Sequence, residues 1–248
     1  MTDEHLRDAV LHRARDDDAL GDRARQVVSE AWRDVPTDAS LTVAMARLDA
    51  EIDALSAHRT AAATVPDADE MQSACAALLS AAAAQGDAER AADALSADRV
   101  QFLETSLEFH DRHGTQPCPV CAKGSLDDEW VVWARAALTA ERDAASALRV
   151  ARSGAHRARQ ALIALVRAVD APPPEEVTLT AVAAARLAHQ SFSPLPTDDD
   201  TALASRLVRE LPALRDAYAA LEQAAAAKLE AAREAKDWLQ ALAPTLGD

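Results

Sequence analysis

The chain has 248 residues, a net charge of −15 from 41 acidic and 26 basic side chains, and 62 alanines, which supply about half of its 49% hydrophobic content. Aromatics at 3%, six glycines and no asparagine exclude an ordinary β or α/β domain, which needs large core side chains and turn residues; Ala, Leu, Arg, Glu and Gln instead favour long helices. The acidic balance excludes a nucleic-acid-binding module, because such a surface repels phosphates.

Residues 1–10 are charged and carry no apolar leader core. The longest uncharged stretch, residues 71–86, is short and mostly Ala, Ser and Gln, too weakly apolar for a membrane span. Three cysteines in a chain of this length do not make a secreted disulfide scaffold, and a reducing cytoplasm suits them.

Prolines divide the chain into helices expected over residues 3–33, 41–63, 68–112, 126–170, 176–190 and 199–241, with Pro212 kinking or splitting the last. Asp16–Asp18 and Asp198–Asp200 read as solvated turns or helix starts, the second with Thr197 as N-cap. His5, His12, His58, His156 and His189, scattered among Arg and Ala, read as exposed. Near the midpoint stands Cys118-Pro119-Val120-Cys121. Pro66 lies 52 residues before Cys118 and Pro173 lies 52 after Cys121, so the breaks mirror each other about this motif. The fold expected is all-α: a long antiparallel coiled-coil hairpin with proline-marked joints and a CxxC turn at its tip. Its parts are an incoming arm over 1–66, a tip-proximal helix over 67–113, the turn at 114–125, an outgoing helix over 126–171 and a returning arm over 172–248.

Steps of alternating four and three residues support the pairing, since a 3.5-residue repeat keeps one stripe facing a partner. After the motif they pass through Leu126, Trp130, Trp133, Ala137, Ala140, Ala144, Ala147, Ala151, Gly154, Ala158, Ala161, Leu165 and Ala168. Before it they pass through Ala74, Ala77, Ala81, Ala84, Ala88, Ala91, Leu95, Asp98, Phe102, Thr105 and Phe109. Phe102, Phe109, Trp130 and Trp133 cluster near the turn and are expected to pack there as a small core.

Two thiolates two residues apart both reach one Zn²⁺, with the turn aiming the sulfurs inward. Gly124 suits a left-handed position after the turn, and Ser125 reads as N-cap of the next helix, with Asp127 and Asp128 in its first turn. A redox pair of the thioredoxin kind needs a preceding strand, and none is read. Cys118 and Cys121 are half a tetrahedral site. His110 and His113, one helical turn apart, complete it within the chain, or a second copy supplies its own two cysteines. Cys75, 43 residues before Cys118, reads as a buried helix-face residue.

A central CPVC followed by Leu126, Asp127, Asp128 and Glu129 resembles the zinc hook of SMC-like double-strand-break-repair ATPases and their bacterial SbcC-type relatives. The resemblance covers about fifteen residues in detail. It implies that Cys118 and Cys121 are the hook cysteines, that Zn²⁺ joins two copies as a homodimer, and that ATPase heads and a nuclease subunit act alongside, in a cytoplasmic and nucleoid-associated setting. The His110/His113 pair is foreign to the simple hook pattern. No GxxxxGK[ST] occurs, and no GxSxG, HExxH or Ser/His/Asp ordering, so the segment is expected to be non-catalytic. The alternative is a free-standing helical adaptor with an intramolecular two-Cys two-His knuckle.

Overall fold

The structure is a computed structural model that describes residues 3–33, 41–92, 96–174, 179–195 and 199–246. Among these the chain is all-α apart from one short ladder. Its elements are α1 Asp3–Asp16, α2 Asp22–Arg33, α3 Leu41–Ala62, α4 Ala68–Ala91, α5 Ser96–His113, β1 Gln116–Pro117, β2 Ser125–Leu126, α6 Asp128–Arg167, α7 Thr180–Phe192 and α8 Asp200–Leu246.

Three expected boundaries change. Residues 3–33 form two helices, because Asp17 turns the chain locally. Its carboxylate accepts from the Ala19 N–H at 2.9 Å, its carbonyl accepts from Arg25 at 3.1 Å, and the Gly21 N–H donates to Glu234 at 2.7 Å. An Asx turn competes with the helix ladder. The helix expected over 68–112 is two, α4 and α5, with 93–95 outside the described residues. Helix α8 runs unbroken through Pro212, which costs a helix interior about 3 kcal/mol. Leu207, Leu211, Leu214 and Tyr218 are all buried along this stretch. At about 1.5–3 kcal/mol for each large side chain removed from water, packing outweighs the lost backbone bond.

The chain divides into two compact units. One comprises Met1–Ala68, Leu165–Leu195 and Arg206–Asp248. Its core joins Val10, Leu20, Val28, Trp32, Leu48, Leu55, Leu229 and Leu239. Within it α3 and α8 run antiparallel, as the ion pairs Arg59–Glu222, Glu51–Lys228 and Asp49–Lys236 require. His58 is fully buried in α3 and His189 is half-buried, bonded to the Val169 carbonyl at 3.2 Å, so neither is exposed as expected. His5, His12 and His156 are exposed.

The second unit comprises Asp69–Ala164 and Pro196–Ser205. Met71, Cys75 and Leu78 make the buried face of α4, at i, i+4 and i+7. The Asp199 carboxylate accepts from the N–H groups of Thr201 and Ala202 at 2.8 and 3.0 Å and so caps α8; Thr197, the expected cap, lies outside the described residues. Helices α5 and α6 run antiparallel, joined by Arg99–Glu141, Glu104–Arg142 and Asp111–Arg135. Between them lie Leu103, Leu107, Val131, Ala134 and Leu138, with Val100, Trp130 and Ala137 against the edge.

The seam keeps the expected period but sits one residue further along. Cys75, Leu78, Leu103, Val131, Ala134, Leu138, Ala155 and Leu162 are buried where Ala74, Ala77, Phe102, Trp130, Trp133, Ala137, Gly154 and Ala161 were expected. One residue is about 100° of helix rotation. At Leu78, Leu138 and Leu162 the rotation buries a leucine in place of an alanine, which removes more apolar area at those positions. It also turns Phe102 and Trp133 outward, to 55% and 60% exposure. The expected aromatic core is therefore corrected: Trp130 packs against the aliphatic cluster, Phe109 is half-buried against His113, and the other two rings face out.

Candidate metal centre

The turn between α5 and α6 is closed by the β1–β2 ladder, which pairs Gln116 with Leu126 and Pro117 with Ser125. Inside that clamp the Cys118 N–H donates to the Gly124 carbonyl at 2.8 Å, and the Ala122 N–H donates to the Cys118 carbonyl at 2.9 Å. Pro117 and Pro119 fix φ on both sides of Cys118. Leu126 is buried and anchors the far end.

Two residues of the turn are left-handed, Gly114 with φ of 71° and Ala122 with φ of 55°; Gly124, expected there, takes no positive φ. Ser125 lies in β2, and the N-cap of α6 is Asp127, whose carboxylate accepts from the Trp130 N–H at 2.9 Å. Asp128 and Glu129 occupy the first turn of α6, where the helix dipole favours negative charge.

Cys118 is half-buried and Cys121 exposed, and neither is in a disulfide. The Cys121 thiol is held below the usual cysteine range by N–H donation from Lys123, then from Gly124, then by the Cys118 thiol. Hydrogen bonds to the charged form favour thiolate, the species that binds metal. The turn thus brings two sulfurs within hydrogen-bonding reach of each other and supplies backbone donors to one of them. That donor set fits a thiophilic cation such as Zn²⁺.

His110 and His113 stand apart from this pair. His110 continues the inward face of Leu103 and Leu107; both its ring nitrogens are buried with no hydrogen-bond partner, and Asp111 lies 3.9 Å away. His113 is exposed and its ring stacks obliquely on Phe109 at 4.7 Å. Among the described residues no three His, Cys, Asp or Glu side chains stand close enough together to hold a metal ion. Cys75 is buried, as expected, 3.9 Å from the Ala204 carbonyl, and burial pushes its thiol up.

Sequence reasoning missed the ground beside the turn. A cavity of about 230 Å³ is walled by Cys118, Pro119, Val120, Leu126, Phe102, Phe109 and Trp130. A second, of about 490 Å³, continues along α5 and α6 between Phe102, Leu103, Trp130, Trp133 and Ala137, ending at Asp98, Arg99 and Glu141. Phe102 and Trp130 line both. The spacing Phe102, Phe109, Trp130, Trp133 carried the signal; a seam phased on branched aliphatics would have put these rings at its rim.

Among the described residues no helix is long and apolar enough to cross a membrane. No protein-family description, curated protein or solved structure matches the chain.

Proposed function

We propose that this chain is a zinc-dependent dimerisation and tethering element without chemistry of its own. In this reading it is the hook-bearing coiled-coil hairpin of an SMC-like DNA-repair or defence ATPase. Cys118 and Cys121, as thiolates, hold one Zn²⁺ jointly with the same two residues of a second copy. The bound ion supplies a cross-link of fixed tetrahedral geometry between two chains. The observation that carries the reading is the turn itself: two free cysteines held on one short turn closed by the β1–β2 ladder, with no third ligand beside them among the described residues. The antiparallel run of α5 and α6 on either side supports a hairpin. The acidic arms keep the element off nucleic acid, so contact with DNA belongs to the ATPase heads and their nuclease partner.

A second reading rests on His110, whose buried ring nitrogens have no hydrogen-bond partner. In it His110 and His113 swing to the cysteine pair and close a site within one chain, giving a monomeric adaptor.

Metal stoichiometry with sedimentation separates the two. The hook gives about one zinc per two chains, and a dimer that a chelator splits with far-UV helicity retained. Cys118→Ser abolishes zinc binding and dimerisation together. A zinc-loaded monomer at high concentration, or Cys118→Ser with metal content intact, ends the hook reading; one zinc per chain, lost in His110→Ala, installs the other.

A further inference from the structure

The apolar groove beside the turn, from Cys118 and Val120 past Phe102 to Trp133, is left open by the described residues. We infer that it is the seat of a second copy of the same chain, so that the dimer joined at the cysteine turn is held by aromatic packing as well as by metal. This rests on the proposed zinc-bridged reading of Cys118 and Cys121.

Four observations assign the occupant. First, the groove and the metal half-site share a wall: Cys118, Pro119 and Val120 line the smaller cavity, so whatever docks at the sulfurs arrives at the groove's mouth. Second, the half-site takes two more ligands that the described residues do not supply. A second turn brings them, and with them a second groove related by a two-fold axis. Such a contact is self-complementary, each copy offering the same rings and the same cavity.

Third, charge favours the turn as the point of contact. In a chain of net −15, residues 114–126 carry a single charged side chain, Lys123; Asp127, Asp128 and Glu129 begin only beyond it, and Asp98 and Glu141 stand at the far end of the groove. Two such chains meet with less repulsion at the turn than along their acidic helices. Fourth, area demands more than the turn. A specific two-fold contact buries about 1,200–2,000 Å² in total, far more than a pair of short turns. Val120 at 73%, Trp133 at 60% and Phe102 at 55% exposure provide apolar surface continuous with it. An aromatic side chain totals ~150–250 Å², of which somewhat more than half is open at Phe102 and Trp133. Two copies of Phe102 and Trp133, with the walls they cover, bring the contact toward the size a stable dimer needs.

The two contributions act on different quantities. The sulfurs fix where the copies join and make joining metal-dependent. The rings set how tightly a zinc-loaded pair holds, because a few central aromatics dominate most interfaces.

The test uses the full chain at saturating zinc, comparing wild type with Phe102→Ser and Trp133→Ser. Both rings are more than half exposed and outside the metal site, so in the zinc-free monomer far-UV helicity and unfolding midpoint should be unchanged. Sedimentation equilibrium reads the dimer dissociation constant. It should rise about 100-fold in each variant, since a two-fold contact loses every substituted ring twice. At concentrations high enough to restore the dimer, zinc should return to the wild-type ratio. Zinc added to wild type should also shift tryptophan emission to the blue, a change smaller in a Trp133→Phe variant that still dimerises, where Trp130 alone of the groove's two indoles remains. Variants that dimerise as tightly as wild type overturn the inference and leave the metal reading standing. Wild type that binds zinc as a monomer, or binds none, overturns the metal reading and this inference with it; that failure shows in the wild-type chain alone.

Discussion

The two compact units place their large side chains oppositely. In the unit built from α1–α3, α7 and most of α8, Trp32, Tyr218 and Phe192 are each 1% exposed or less and sit among leucines. Along α5 and α6 of the other unit the buried seam is Leu103, Leu107, Val131, Ala134 and Leu138, while Phe102 and Trp133 lie on the surface. A ring inside a core contributes through packing density and is felt at once when removed. A ring half in water contributes little to folding and remains available to a partner. One region uses aromatics to hold itself together and the other displays them beside its only adjacent pair of cysteines.

Thiol chemistry gives the largest expected contrast. In metal-free native protein Cys118 and Cys121 should react promptly with a disulfide or alkylating reagent, since one is exposed, the other half-buried, and thiolate is favoured at Cys121. Cys75 is 3% exposed and its thiol is pushed up by burial. It should react at least ~100-fold more slowly, waiting on local opening, until denaturant levels the three. A timed count of modified cysteines by mass spectrometry reads this directly. Three equally fast thiols would mean that the α4 face around Met71, Cys75 and Leu78 is not closed.

Tryptophan substitutions give the next contrast. Trp32→Ala should cost about 3–5 kcal/mol, the range for a large buried aromatic, and lower the unfolding midpoint sharply. Trp133→Ala should stay within about 0.5 kcal/mol of wild type, as surface changes do. Chemical denaturation of both variants checks the pair. Equal losses would place Trp133 in a core and remove the basis for a displayed surface.

How much of this was legible in the sequence follows from the physics of each feature. Helix content was legible because Ala, Leu, Arg and Glu are helix formers and Asn and Gly are scarce. The seam's period was legible too, but its phase was not. With alanine on every face of α4 and α6, several stripes look equally apolar to a count, whereas folding weighs area and turns Leu138 and Leu162 inward in preference to Ala137 and Ala161. The cysteine turn was legible because a CxxC knuckle is a local event. Its details were not: a non-glycine residue in the left-handed region, as at Ala122, is uncommon, and Asp127 rather than Ser125 caps the helix because Ser125 is taken up in the β1–β2 ladder. The break at Asp17 was hidden because the groups that hold it, Trp238 donating to Asp17 and Glu234 accepting from Gly21, come from the far end of the chain.

The smallest expected effect belongs to Tyr218, and it sharpens the view of the first unit as one that depends on its buried rings. The Tyr218 hydroxyl donates to the Asp170 carbonyl at 2.6 Å, and the Asp170 N–H donates to Thr64 at 2.9 Å, tying α3, the end of α6 and α8 together. Burial, and secondarily the charge of Asp170, pushes this phenol from 10 up to about 12. Below pH 10 it is protonated in both folded and unfolded chains, and its contribution is fully present. Between pH 10 and about 12 the unfolded chain releases the proton while the folded one keeps it, so fewer protons are bound on unfolding and stability falls as pH rises. The loss should approach about 2 kcal/mol and level off above pH 12. Tyr218→Phe, at a cost of about 1 kcal/mol for the missing hydrogen bond at neutral pH, should remove that part of the alkaline decline. Unfolding midpoints of wild type and variant therefore converge as pH rises from 9 and cross before pH 12, the variant ending the more stable; parallel curves would mean that the Tyr218 hydroxyl is open to water in the folded chain.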